Sequence, residues 1–355
     1  MQKTRIAVIG AGAIGRLHAE TIASADFCSL AAIADPADAA REFAARLGAP
    51  WGADYRRMLD EVRPDAVIVA TPNDLHVSAA LDVIARGLPV LVEKPIAATA
   101  EDGARLVAAS AAAGVPTLVG HHRRHNPVIR EARRLVRDGA LGELTSIAVL
   151  SNVLKPDEYF APEWRRKPGA GPVLINLIHE IDLIRFMCGE IASVHAMTSN
   201  ARRGFEVEDT AAVILRLENG ALTTMSLSDS ATSPWSWDLS SGELPNYPPQ
   251  PAYAPSHFIC GTHGALALPS LELWRYDGKR SWFAPLSHQF IEVRRESPYV
   301  AQLRQLCRVV RSEEEPLITA ADGLQTLRAT LAVHESARAR RPVDLLDPET
   351  GADTG

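Results

Sequence analysis

A chain of 355 residues is too long for one ordinary hydrophobic core and implies two domains. Its 46% hydrophobic and 23% charged content is that of a globular protein, and a formal net charge of −6 offers no general attraction to nucleic acid or anionic membranes. Four scattered cysteines without a Cys-x-x-Cys argue against a disulfide framework or a zinc site and fit a reducing cytoplasm.

Residues 1–122 alternate short apolar runs with helical patterns, the form of a parallel doubly wound α/β sheet. Strands are predicted at Arg5–Ile9, Leu30–Ala34, Ala66–Ala70, Val90–Val92 and Thr117–Val119. The first is strand-length and runs into glycines, which is the wrong form for a signal peptide. Between the strands, Asp35-Pro36 opens a helix that closes at Gly48, and Asn73 opens one that closes near Gly87. Thr99 with Asp102 has capping-box spacing, and that helix stops at Gly114.

From residue 123 the pattern changes. Leu144–Asn152, Ile191–Thr198, Thr210–Leu217 and Leu222–Ser228 read as longer strands, with Asn219-Gly220 as a hairpin signal between the last two. The expectation is a second, α+β domain over 123–345 with a large, mostly antiparallel open sheet, followed by a tail at 346–355. A helix from Ala320 to Arg340 is expected to pack back on the body. Two segments carry no assignment: Lys155–Pro172, and Asp229–Ser256 with six prolines and the aromatics Trp235, Trp237, Tyr247 and Tyr253. Ordered loops this long are uncommon and are usually functional or disordered. No run approaches the roughly 20 apolar residues that a membrane-spanning helix needs.

Gly10-Ala11-Gly12-Ala13-Ile14-Gly15 follows the first strand and opens a helix. In that context the glycines allow a tight turn, a close approach of backbone to pyrophosphate, and close packing of helix on strand. The helix N-terminus offers its N–H groups and positive dipole end to the phosphates. Asp35, 20 positions after Gly15, stands where a carboxylate accepts from the adenosine ribose and repels a 2′-phosphate, which favours NAD over NADP. The competing reading is that Asp35 only caps the next helix.

Further stretches share an order: Ala70-Thr71-Pro72-Asn73-Asp74-Leu75-His76, then Glu93-Lys94-Pro95, Gly169-Ala170-Gly171, Asn176-Leu177-Ile178-His179-Glu180-Ile181-Asp182, and Gly261-Thr262-His263-Gly264. With the glycine turn, this order resembles the Gfo/Idh/MocA family, which includes glucose–fructose oxidoreductase and inositol dehydrogenase. The resemblance implies NAD(P)-dependent hydride transfer at a secondary alcohol of a sugar, cyclitol or related compound. It also implies that Lys94 is the catalytic lysine, that Glu93 lies near the nicotinamide ribose, and that Thr71, Pro72, Asn73 and His76 form a loop beneath the cofactor. A cis bond before Pro95 is implied as well.

Oxidising an alcohol requires a base for the hydroxyl proton and a group that polarises the oxygen. A histidine and an ammonium meet these needs without a metal. Val173–Cys188 reads as a buried helix ended by Gly189, with Asn176, His179 and Asp182 in a slanting polar stripe. His179 is the expected acid/base, Lys94 the polarising group and Asn176 a positioning residue; Asp182 is as readily an orienting group. Many members of the family carry Asp four residues before the histidine. Here Ile175 stands at that position, and the neighbouring Asn cannot accept a proton.

Substrate contacts are expected from Arg124, within His121-His122-Arg123-Arg124-His125, and from Trp164 and Arg165 as an aromatic face with a polar fork. Arg166 and Lys167 read equally as a solvated turn. Beside the dehydrogenase reading stand an NAD-recycling glycosidase and a non-catalytic dinucleotide sensor, and retention of both Lys94 and His179 argues against the sensor. The apolar content of an open sheet implies a homodimer or homotetramer.

Overall fold

The computed structural model describes residues 3–243, 247–248 and 254–345; Tyr253 and the tail at 346–355 lie outside them. The chain divides into two compact units, Met1–His125 with Glu296–Leu327, and Asn126–Arg295 with Arg328–Gly355.

The first unit is the expected parallel doubly wound fold. Strands β1 (Thr4–Ile9), β2 (Cys28–Ala34), β3 (Trp51–Gly52), β4 (Ala66–Val69), β5 (Val90–Val92) and β6 (Thr117–Val119) form one sheet in the order β3-β2-β1-β4-β5-β6. All its pairings are parallel. The order reverses beside β1, and ligands sit at the carboxyl ends of strands at such a switch point. Helices α1 (Ala13–Ser24), α2 (Asp38–Arg46), α3 (Tyr55–Val62), α4 (His76–Ile84) and α5 (Ala100–Ala113) connect the strands. Thr99 caps α5 by accepting from the Asp102 N–H at 3.1 Å, and Gly114 closes it in the left-handed region, as the sequence predicts. The two-residue β3 is too short for periodicity to reveal.

The returning helix Pro298–Val310 completes this unit's core. Leu303, Leu306 and Val309 pack with Ile6, Val8, Ile33, Phe43 and Ile68. Each such side chain contributes roughly 1.5–3 kcal/mol on full burial.

The second unit is a nine-stranded open sheet with helices. After α6 (Pro127–Arg137) come β7 (Leu144–Asn152), α7 (Ile178–Cys188), β8 (Ile191–Ser199), β9 (Thr210–Leu217) and β10 (Leu222–Ser228). They are followed by β11 (His257–Gly261), β12 (Gly264–Leu268), β13 (Glu272–Arg275), β14 (Ser287–Phe290) and β15 (Val343–Asp344). The order is β14-β13-β12-β11-β7-β10-β9-β8-β15. Its neighbours are antiparallel except β7 and β10, which run parallel. The β9–β10 hairpin turns at Asn219-Gly220 as its sequence signals, with Gly220 at φ +86°. Within the unassigned Asp229–Ser256 segment, Trp237 is buried against His257, and its Nε1–H donates to Glu243 at 2.8 Å.

Candidate active site

In the first unit the turn after β1 is shaped by close approach. Gly10 has φ +97°, and a Cβ there would lie 2.4 Å from the Ala70 carbonyl oxygen, so only glycine fits. Gly15 abuts the Gly10 carbonyl from α1. Gly12 differs from both, since a Cβ there meets nothing within 4 Å. It is also the N-cap of α1, and no side chain caps that helix. An open space over uncapped N–H groups, at the positive end of a helix, fits a dinucleotide pyrophosphate.

Asp35 follows β2 and is half-buried. Its Oδ2 accepts from the Ala11 N–H at 2.7 Å and its Oδ1 from the Ala37 N–H at 2.9 Å. The carboxylate thus ties the glycine turn to the end of β2. It does not cap α2, which begins at Asp38 with Ala37 as its N-cap and no side-chain cap.

The loops after β4 and β5 are joined by His76. Its Nδ1 lies 2.8 Å from the Pro95 carbonyl oxygen and its Nε2 2.9 Å from that of Thr71. Burial pushes this imidazole below its ordinary pKa of 6.5, against the pull of both carbonyls and the Glu93 charge. Thr71 and Asn73 are half-buried and Pro72 is exposed. The Lys94–Pro95 bond is cis, as the resemblance implies, and Lys94 is half-buried.

Glu93 is buried, with Oε1 2.7 Å from His18 Nε2 on α1 and Oε2 accepting from the Lys94 N–H at 3.1 Å. Burial pushes its carboxyl up, but the His18 bond and the charges of His18, His122 and Lys94 outweigh this and hold it below 4.5. His122 stacks on Tyr299 at 4.2 Å, and His18 meets the same ring edge-on at 5.9 Å. Arg124, a sequence candidate for substrate contact, gives both terminal guanidinium nitrogens to the Asp322 carboxylate. Its side chain is buried in that pair.

In the second unit, Val173–Leu177 form one wide π turn that leads into α7, and every residue of α7 is buried. The predicted helix is therefore two windings, with Asn176 in the wide turn and His179 and Asp182 in the α-helix. His179 is 7% exposed, whereas Asn176 is half-buried. Two carboxylates secure the helix. Glu208 Oε1 accepts from the Val173 N–H at 2.9 Å and its Oε2 faces His334 Nε2 at 3.2 Å. A Cβ on Gly171 would lie 2.3 Å from Glu208, which explains the glycine entry. Glu180 faces His257 on β11 at 2.9 Å, both almost wholly buried.

Asn176 Oδ1 accepts from Lys155 Nζ at 2.7 Å. The ammonium also lies 3.6 Å from Asp229 and 4.9 Å from the centre of the Tyr159 ring. Arg165 lies over the same ring at 4.1 Å and donates to the Tyr159 carbonyl at 2.6 Å, with Trp164 beside it, 57% exposed. Lys167 pairs with Glu163 at 2.7 Å, as a solvated turn would.

Sequence reasoning missed Lys155, Glu208 and Asp229. The available signal was Lys155's place just past the end of β7, in a segment too irregular to read by period. Among the described residues, no group of three His, Cys, Asp or Glu side chains is placed to hold a metal ion, and no helix is long and apolar enough to cross a membrane.

Comparison with known proteins follows the same two-part division. Residues 4–121 match the family profile described as "Oxidoreductase family, NAD-binding Rossmann fold", and residues 129–267 match the GFO/IDH/MocA C-terminal domain. The rhizopine catabolism protein MocA of Rhizobium meliloti is 32% identical over 54% of this chain and 59% of its own length. The chain spans less than two thirds of the first curated relatives it matches. The D-apiose dehydrogenase of Paraburkholderia graminis is 29% identical over 98% of this chain and 91% of its own. Among solved structures, the WlbA dehydrogenase of Bordetella pertussis, in complex with NADH and UDP-GlcNAcA, superposes with a TM-score of 0.78 at 27% identity. That match covers 98% of this chain and 100% of the other.

Proposed function

The chain belongs to the Gfo/Idh/MocA oxidoreductase family, and from that premise we propose that it is a nicotinamide-dependent dehydrogenase of a sugar-, cyclitol- or polyol-like secondary alcohol. The observation that carries the reading is the open space over Gly12 at the uncapped start of α1. Gly10, Gly12, Ala13, Ile14 and Gly15 would hold the pyrophosphate, Asp35 the adenosine ribose, and Thr71, Pro72 and Asn73 the nicotinamide end. A carboxylate at Asp35 favours NAD over NADP.

Bound NAD would supply the hydride acceptor. The protein's task is then to take a proton from the alcohol and lower the energy of the developing alkoxide. Lys94 stabilises that charge and His179 accepts the proton, while Asn176 orients the substrate. Glu93 and His76 act one step back: the buried carboxylate holds the Lys94 backbone, and the imidazole joins the Thr71 and Pro95 loops. Arg124 is left out of the substrate set because Asp322 occupies its fork. Trp164 and Arg165 remain substrate contacts in this reading.

The sheet exposes Met197, Ile214, Leu222 and Phe258. A second copy covering this apolar surface gives the proposed homo-oligomer.

The test is a screen of sugars, cyclitols and sugar acids with NAD and NADP in parallel, read by reduced-nicotinamide absorbance. Substrate-dependent reduction that His179→Ala abolishes is the expected result. Absence of reduction across the screen would sink the dehydrogenase reading.

A further inference from the structure

Lys155 stands three residues past β7, with its side chain only 11% exposed. An ammonium donates and has no lone pair with which to accept. A carboxamide's oxygen and nitrogen look alike, but only one orientation can bond a donor-only partner. The 2.7 Å contact therefore turns the Asn176 oxygen toward Lys155 and its NH2 away. Among the described residues no acceptor meets that NH2. Asp229 keeps the ammonium in place at 3.6 Å, and its other oxygen receives Arg203 Nε at 3.0 Å.

The Asn176 carboxamide thus turns hydrogens rather than its acceptor oxygen away from Lys155, and neighbouring Ile175 has a side chain that can neither donate nor accept. A sugar hydroxyl can donate or accept, whereas an ionised carboxylate only accepts. Lys155 and Arg165 add two cations against the Tyr159 ring, offset in part by Asp229 and by the Asp238 charge that acts on Lys155.

We propose that Lys155 is a positioning residue that fixes Asn176 as a donor and thereby selects an acidic substrate, a polyhydroxylated acid whose carboxylate accepts from the Asn176 NH2. This rests on the reading of the α7 entry as the substrate site.

The test titrates the NADH-loaded protein with D-gluconate and D-galacturonate against D-glucose and D-galactose, measuring affinity by calorimetry. The acids should bind at least about tenfold more tightly than their neutral counterparts, the order of one charge-assisted hydrogen bond. Lys155→Met should bring the two classes toward parity. Asn176→Asp keeps a partner for Lys155 but replaces the outward NH2 with an acceptor, so it should reverse the preference. Equal or tighter binding of neutral sugars by the wild type, binding of neither acid, or an unchanged preference in Asn176→Asp would overturn the proposal. Binding without any turnover would instead count against the dehydrogenase reading alone.

Discussion

His18 Nε2 lies 2.7 Å from Glu93 Oε1, a buried pair that joins α1 to the residue before Lys94. Removing one partner of such a pair leaves the other uncompensated, which costs about 3–5 kcal/mol. His18→Leu should therefore destabilise the fold far more than a surface substitution, as read by urea denaturation. Glu93 sits below 4.5 in the folded state, so its contribution is present above 4.5 and is lost as pH falls through the folded value. Glu93→Gln should flatten that acid limb. An unchanged limb would mean that other carboxylates set it.

His76 gives a second pH signature of the same sign. Its folded pKa lies below 6.5, so the unfolded chain binds more protons as pH drops beneath that value. Stability should fall from about pH 6.5 downward, and His76→Gln should blunt that slope. Melting temperatures across the range would reveal it, and a slope as steep in the variant would discount the imidazole.

Gly10 and Gly12 should fail differently. Gly10→Ala places a Cβ against the Ala70 carbonyl at a left-handed φ and should lower the melting temperature of the protein without ligand. Gly12→Ala meets no protein atom and should melt near the wild type while weakening NAD binding at least about tenfold, through the space taken from the pyrophosphate. Undiminished NAD affinity in Gly12→Ala would move the cofactor elsewhere.

Asp35→Ser should shift the kcat/KM ratio toward NADP by about ten- to a hundredfold, since it removes the repulsion of a 2′-phosphate. Ala11 loses its 2.7 Å acceptor in the same change, so a modest loss of stability should accompany the switch. A stability loss with unaltered cofactor ratio would reduce Asp35 to a brace for the turn.

His179→Ala should lower kcat by about 10²–10⁴, the range of general acid–base catalysis, with little change in NAD affinity. Lys94→Met should do likewise if its charge acts on the developing alkoxide. A rise in KM at constant kcat in either variant would assign it to binding instead.

The first five expected strands lie within two residues of their observed bounds, because strand runs and their turns are written in near neighbours. The same local grammar exposed the glycine turn, the Thr99 cap and the Asn219-Gly220 hairpin. Strands β11–β14 and the helix Pro298–Val310 were not recognised, although the Gly261–Gly264 motif lies among those strands. They are short or sit beside irregular segments, where period carries little information.

Sequence by itself determined the strand–helix rhythm, the glycine turn after β1 and the buried segment that carries His179, each a property of residues a few positions apart. Tertiary structure decided which of those polar groups are already engaged. Arg124 meets Asp322 198 residues away, Glu93 meets His18 at 75, and Asn176 meets Lys155 at 21. A side chain's donor or acceptor character toward a ligand depends on the partner that has already claimed its other atoms. Such partners are chosen by the packing of distant segments, which local chemistry does not encode.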